Sequence, residues 1–333
     1  MRRMAMTVAV VALALGWASP GVAGGTVNTP RKPFDVQVQR DFVYRTVGGD
    51  KMKLDAYLPG GTGTGPLPGV VVLFGGGWVL GSKELSEPLA RTLAEQGFAA
   101  FAVDYRLAPA HPFPAAIDDV QASVKWLREH AIEFNLDPEH IGAIGGSAGG
   151  HLSALASTLG DGPHDRGSRL AAAVSWAGPM DLHPDEYGPD SQFYLDAFLD
   201  CPTGQCKEST IEAASPIFHV DQSDGAMFLA NGQEDVLVPP DQAERMAAAL
   251  GNAGVAHQLT LVPNAGHDER LAPVVIQPSI DFLRAKLEPS AKGSGVDVAP
   301  IVAVSLAGLA VGLLLLYATR SRRRSRRRRR RMA

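Results

Sequence analysis

The chain has 333 residues, 45% of them hydrophobic and 20% charged, with two cysteines and a formal net charge of −4. That composition excludes a disordered chain and a disulfide-held scaffold, and it suffices for one large core. The near-neutral average conceals a sorting of charge: residues 24–300 carry 19 Lys and Arg against 35 Asp and Glu, a net −16, while Arg2, Arg3 and ten arginines between Arg320 and Arg331 hold the remaining positive charge.

In chain order, residues 1–23 open with Met1-Arg2-Arg3, run uncharged through 4–18 and reach small residues at Gly21 and Ala23. A basic start, a short apolar run and small residues predict a secretory signal peptide cleaved near Ala23. Residues 36–47 and 52–58 alternate as antiparallel strands do, with Gly48-Gly49-Asp50 as their turn. A linker over 60–68 leads to the continuous apolar run 70–74, of the kind buried on both faces. Similar runs recur at 98–103, 140–144, 171–176, 226–230 and 258–262, with helical patterns over 84–96, 114–133, 148–159, 240–251 and 273–287. Strand and helix in alternation predict an α/β class domain over 34–288, a mainly parallel sheet covered on both faces. Such sheets carry their chemistry in the loops after the strands.

Residues 179–209 break the pattern and are rich in Asp, Pro and aromatics, so they are expected to form a small cap insertion. Within them Asp181, His183, Asp185 and Glu186 read as a solvated loop, and no metal is expected. Cys201 and Cys206 enclose Pro202 and Gly204, which suits a local disulfide in an exported protein. After a linker over 289–298, residues 299–319 are free of charge and long enough for a transmembrane helix, and an Arg-rich tail fills 320–333. Arginines against one end of a span hold that end in the cytoplasm. The expectation is therefore an exported, membrane-anchored protein with its acidic domain outside, the tail being either a permanent anchor or a removed sorting signal. Nucleic-acid binding is not expected of an acidic body with arginines confined to such a tail.

The chemistry is expected around Gly145-Gly146-Ser147-Ala148-Gly149, a Gly-x-Ser-x-Gly sequence between an apolar strand and a helix. Such a tight turn exposes the serine and needs small neighbours. A serine hydroxyl needs a base, and His267, in Gly266-His267 just after the last apolar run, fits better than the other eight histidines. The base needs a carboxylate, for which Asp235 is the candidate and Glu234 its nearest rival. Ser147, Asp235 and His267 stand in α/β-hydrolase order. Phe74-Gly75-Gly76-Gly77-Trp78 follows the third strand, so the N–H groups of Gly76 and Gly77, with that of Ala148, are expected to form an oxyanion hole. A phosphate cradle is excluded there, since no Gly-Lys-Ser/Thr follows. Trp78, Trp176, Phe193 and Tyr194, together with Phe198, are candidates either for an apolar substrate pocket or for the core.

The glycine segment at 74–78 with Gly81-Ser82, the segment Asp104-Tyr105-Arg106-Leu107-Ala108-Pro109 with His111 and Asp118-Asp119, the serine turn, and Asn231 to Pro240 with Gly266-His267 together resemble α/β-hydrolases of the hormone-sensitive-lipase and acetyl-esterase group. The resemblance implies an α/β-hydrolase fold, a Ser-Asp-His triad and hydrolysis of small carboxylic esters without a cofactor. An amidase of formamidase or peptidase type, or a non-catalytic binding protein on the same scaffold, are the alternatives. Two positions depart from the family: Phe74 stands where a histidine usually supports the glycine loop, and Gly146 where an acidic residue is common.

Overall fold

Gly48 and Gly49, at φ 62° and 100°, turn the chain between β1 (Val36–Val47) and β2 (Asp50–Pro59), which pair antiparallel. The computed structural model describes residues 33–61, 65–202, 204–267 and 270–288. Six further strands follow: β3 (Leu67–Leu73), β4 (Ala99–Val103), β5 (Leu136–Gly146), β6 (Ala172–Trp176), β7 (Ala226–Gly232) and β8 (His257–Val262). They join the hairpin in one eight-stranded sheet of order β1-β2-β4-β3-β5-β6-β7-β8, antiparallel from β1 to β4 and parallel beyond.

The apolar runs are buried on both faces because helices cover both. On one side α2 (Ala115–Glu129), α3 (Ala148–Thr158) and α6 (Asp241–Ala253) pack on the sheet, and on the other α1 (Glu87–Glu95) and α7 (Ala272–Leu287). Along β3 the pleat sends Val71 to the first core and Val70 and Val72 to the second, all at most 1% exposed. Burying such a side chain contributes about 1.5–3 kcal/mol, so continuous valine runs rather than alternation mark these strands. The helical pattern at 84–96 divides into a 3-10 turn, Lys83–Ser86, and α1, whose first turn contains Pro88. The segment 179–209 is less irregular than its composition indicates, for it carries α4 (Pro189–Leu199) and the start of α5 (Glu208–Ala214).

The expected transmembrane part of the fold is corrected. No helix among the described residues is long and apolar enough to cross a membrane. The 16-residue α7 reaches about 24 Å at 1.5 Å per residue, short of a hydrocarbon layer of about 30 Å, and it carries Asp281, Arg284 and Lys286. The stretch 299–319 itself, like the signal at 1–23, the linker at 289–298 and the tail at 320–333, lies outside the described residues.

Chain order places the site. The path runs from β3 outward to β4 and then crosses back to β5 on the other side of β3. A crevice opens at such a switch, outside the carboxyl ends of the strands. The loops after β3, β5, β7 and β8 all leave from that end.

Candidate active site

Ser147 sits between β5 and α3 at φ 54° and ψ −123°, a conformation costly for a residue with a side chain. Its surroundings enforce it. The Ser147 N–H donates to the Trp176 carbonyl at 2.7 Å, and its own carbonyl accepts the His151 N–H at 2.9 Å, which starts α3. Close approach of the backbones requires the flanking glycines: a Cβ on Gly149 would lie 2.2 Å from the Leu73 carbonyl oxygen, and one on Gly145 2.5 Å from the Gly149 backbone. The serine side chain caps no helix N–H and is left for chemistry.

His267 Nε2 lies 2.9 Å from Ser147 Oγ, and His267 Nδ1 lies 2.8 Å from Asp235 Oδ2. Because the carboxylate only accepts, Nδ1 carries the proton and Nε2 offers its lone pair to the serine hydroxyl. The other carboxylate oxygen accepts the N–H groups of Leu237 at 3.0 Å and Val238 at 2.9 Å, so Asp235 is fixed although its side chain is fully buried. Sheet order brings these loops together: β7 and β8 are neighbours, and the Glu234 N–H donates to the Ala265 carbonyl at 2.9 Å. Glu234 itself is exposed.

After β3 the chain passes through three successive residues of positive φ, Gly76 at 128°, Gly77 at 59° and Trp78 at 61°. A Cβ on Gly76 would lie 2.1 Å from the Leu80 carbonyl oxygen, and one on Gly77 2.2 Å from the Tyr194 ring. Gly76, Gly77 and Ala148 line the same cavity as Ser147 and His267. N–H groups there can hold an oxyanion formed at a carbonyl attacked by Ser147. Phe74 is a core residue, 3% exposed and stacked on Tyr105 with ring centroids 4.2 Å apart, while the Tyr105 hydroxyl donates to its carbonyl.

The cavity, of about 340 Å³, is closed by the cap through Tyr187, Ser191, Tyr194 and Leu195 and by Leu80, Leu237 and Val238. A second recess of about 280 Å³ lies across Ser147, bounded by Trp176, Ala177, Leu271 and Ala272. Of the aromatic candidates, Trp78 and Tyr194 line the first and Trp176 the second. Phe193 lines neither and is 67% exposed, and Phe198 is buried beneath Trp78. Leu80, Leu237 and Val238 were missed from the sequence, for they carry no chemical signal and only their nearness to Gly77 and Asp235 could have found them. His151, in the first turn of α3, is fully buried and hydrogen-bonded to Trp78.

The cap is pinned by charge. His183 bridges Asp181 and Glu208, at 2.5 and 2.9 Å, while Arg245 binds Asp181 and Glu186. Burial works against protonation of His183, but the carboxylates of Glu208 and Asp181 outweigh it and raise its pKa above the ordinary value. Cys201 and Cys206 are bonded at the end of α4. Among the described residues no group of three or more His, Cys, Asp or Glu is arranged to hold a metal ion.

The sequence profile of the BD-FAE family matches residues 54–250, more than half the chain. Esterase LipQ of Mycobacterium tuberculosis is 30% identical over 217 residues, which are 62% of this chain and 52% of LipQ. Carboxylesterase NlhH of the same species is 48% identical over 94 residues, 28% of this chain and 30% of NlhH. The chain thus spans about half the length of LipQ and less of NlhH. Among solved structures, Thermogutta terrifontis esterase 2 phosphonylated by sarin superposes with a TM-score of 0.64 at 27% identity, covering 78% of this chain and 99% of that one. A truncated carbohydrate esterase from gut microbiota gives the same TM-score at 24% identity, a likeness of fold.

Proposed function

Because the chain belongs to the BD-FAE family of α/β-hydrolase proteins, we propose that it hydrolyses carboxylic esters through an acyl-enzyme on Ser147. One observation carries this reading: the unbroken contact from Ser147 Oγ to His267 to buried Asp235 at the mouth of a cavity that also contains Gly76, Gly77 and Ala148. Ser147 attacks the ester carbonyl as His267 takes its proton, and the tetrahedral oxyanion is held by the N–H groups of Gly76, Gly77 and Ala148. Collapse passes the proton from His267 to the leaving alcohol. Water, deprotonated by His267, then attacks the acyl-enzyme and frees the acid.

The cavity wall supports an apolar group, a short acyl or aryl chain, in the first recess. The Tyr187 hydroxyl donates to the Asp181 carbonyl, the Ser191 hydroxyl to the Leu237 carbonyl and the Trp78 indole to His151. Their donor hydrogens are spent on the protein, so a hydroxylated sugar placed there would find few donors to replace the hydration it loses. The leaving alcohol would occupy the other recess, bounded by Trp176, Ala177, Leu271 and Ala272. Export is part of the same proposal, supported by the bonded cysteines, since such bonds persist in oxidising compartments.

The test is hydrolysis of p-nitrophenyl acetate and butyrate, an acetylated sugar, methyl ferulate and N-formylkynurenine by the wild type and by Ser147→Ala. Turnover of the esters that Ser147→Ala abolishes is the expected result. Equal inactivity of both proteins would remove the esterase reading, and turnover of the formamide alone would replace it with an amidase.

A further inference from the structure

Three successive positive-φ residues cannot hold their shape by backbone preference alone. Gly76 and Gly77 tolerate it, but for Trp78 the left-handed region is a genuine outlier. The loop must be held from outside, and Phe74 does not do this through a side-chain hydrogen bond. The contacts converge instead on Trp78. Its carbonyl accepts the Ala108 N–H at 2.9 Å, its ring stacks on Phe198 at 4.4 Å, and its indole N–H donates to His151 Nδ1 at 3.1 Å.

His151 is placed to join three parts of the site. It rises from the first turn of α3, where its own N–H bonds the Ser147 carbonyl. Its Nε2 lies 2.8 Å from the Ala214 carbonyl at the end of α5, and its ring meets Phe198 of α4 edge-on. The tautomer follows from the partners. A carbonyl only accepts and an indole N–H only donates, so Nε2 bears the proton and Nδ1 the lone pair. The ring must be neutral, and full burial keeps it so, pushing its pKa down to about 4.

We propose that His151 is a positioning residue of the oxyanion hole: through Trp78 it fixes the N–H groups of Gly76 and Gly77 relative to Ser147, a role for which Phe74 offers no side-chain hydrogen bond. The inference rests on the esterase reading and deepens it. The hydrogen bond touches no substrate, yet it links the turn that carries the nucleophile to the loop that receives the charge. A small error in that distance falls on the transition state and not on ester binding.

The test is steady-state hydrolysis of p-nitrophenyl butyrate by the wild type, His151→Phe, Trp78→Phe, the double variant and His151→Gln. Trp78→Phe keeps a stacking ring while removing the indole N–H and some ring volume, and it breaks the same bond without touching α3, so it guards against a misfolded His151→Phe. Each single Phe variant is expected to lose about 10- to 100-fold in kcat with KM changed by less than about threefold, a fraction of what a lost oxyanion donor costs. The double variant is expected to be no worse than the poorer single one, because both remove the same bond. Glutamine, with an acceptor and a donor on one amide, should recover part of the loss. An active wild type whose folded Phe variants keep kcat, or lose it additively, would overturn the positioning role alone. A wild type inert toward every ester and toward a fluorophosphonate would overturn the esterase reading and this inference with it.

Discussion

Asp235 works by what surrounds it. Its buried carboxylate is held by the Leu237 and Val238 N–H groups on one oxygen and gives the other to His267. An amide in its place would fit the space but could present N–H to Nδ1 and select the wrong tautomer. Asp235→Asn is therefore expected to fold normally and to lose about 10⁴-fold in kcat, measured by stopped-time assay with p-nitrophenyl butyrate. Most of this was legible from residue order alone, since Ser147, Asp235 and His267 each follow an apolar run. The sequence preferred Asp235 to its neighbour Glu234, and in the structure Asp235 is buried against His267 while Glu234 is exposed. Phe193 shows the opposite outcome: aromatic character put it forward, but its place on α4 turns it to solvent.

At the scale of elements, the cap is the part whose behaviour should follow pH. His183 joins Asp181 to Glu208 at the start of α5, and Arg245 of α6 faces the same Asp181 from below. A raised histidine pKa means that the folded cap binds a proton more tightly than the open one. The latch is then fully made below the ordinary histidine value and weakens as pH rises through the elevated one. Limited proteolysis between α4 and α5 is expected to quicken over that range, and His183→Gln should cut at one rate throughout. The charged residues at 181–186 had read as a solvated loop. Their partners Glu208 and Arg245 lie 25 and more residues away, a pairing no local pattern contains.

For the whole molecule, buried charge and buried neutrality set different limits. Asp119 on α2, wholly buried, receives Arg106 through two side-chain bonds at 2.7 and 3.0 Å and Arg45 from β1 at 2.7 Å. Asp119→Ala would leave two cations without their partner, and a loss of about 3–5 kcal/mol in urea unfolding is expected. This explains why Arg106 and Asp119 stood among the family-like segments without a chemical role. His151 contributes through the proton it does not take up. Its native pKa of about 4 lies below the ordinary 6.5, so its share of stability is present above about 6.5 and is lost as pH falls toward 4. Glu84 and Asp161, held down to about 2 from 4.5 and 3.8, begin to lose theirs as pH nears those ordinary values, and they do so alike in the wild type and in His151→Phe. The melting temperature of His151→Phe should accordingly fall less than that of the wild type between pH 6.5 and 4. His164, also lowered by burial, acts in the same direction in both proteins.

The sequence by itself determined the parallel sheet, the serine turn and the triad, because valine runs, glycine spacing and strand-end position are local facts with one inexpensive structural solution. Only the tertiary structure shows which aromatic rings line the cavities, that Asp235 is buried while Glu234 is exposed, and that His151 in the helix after Ser147 is hydrogen-bonded to Trp78. Each of those depends on contacts between segments tens of residues apart, Trp78 with His151 and His151 with Ala214. Folding brings such groups within hydrogen-bond reach, and nothing in the order of residues records the distance.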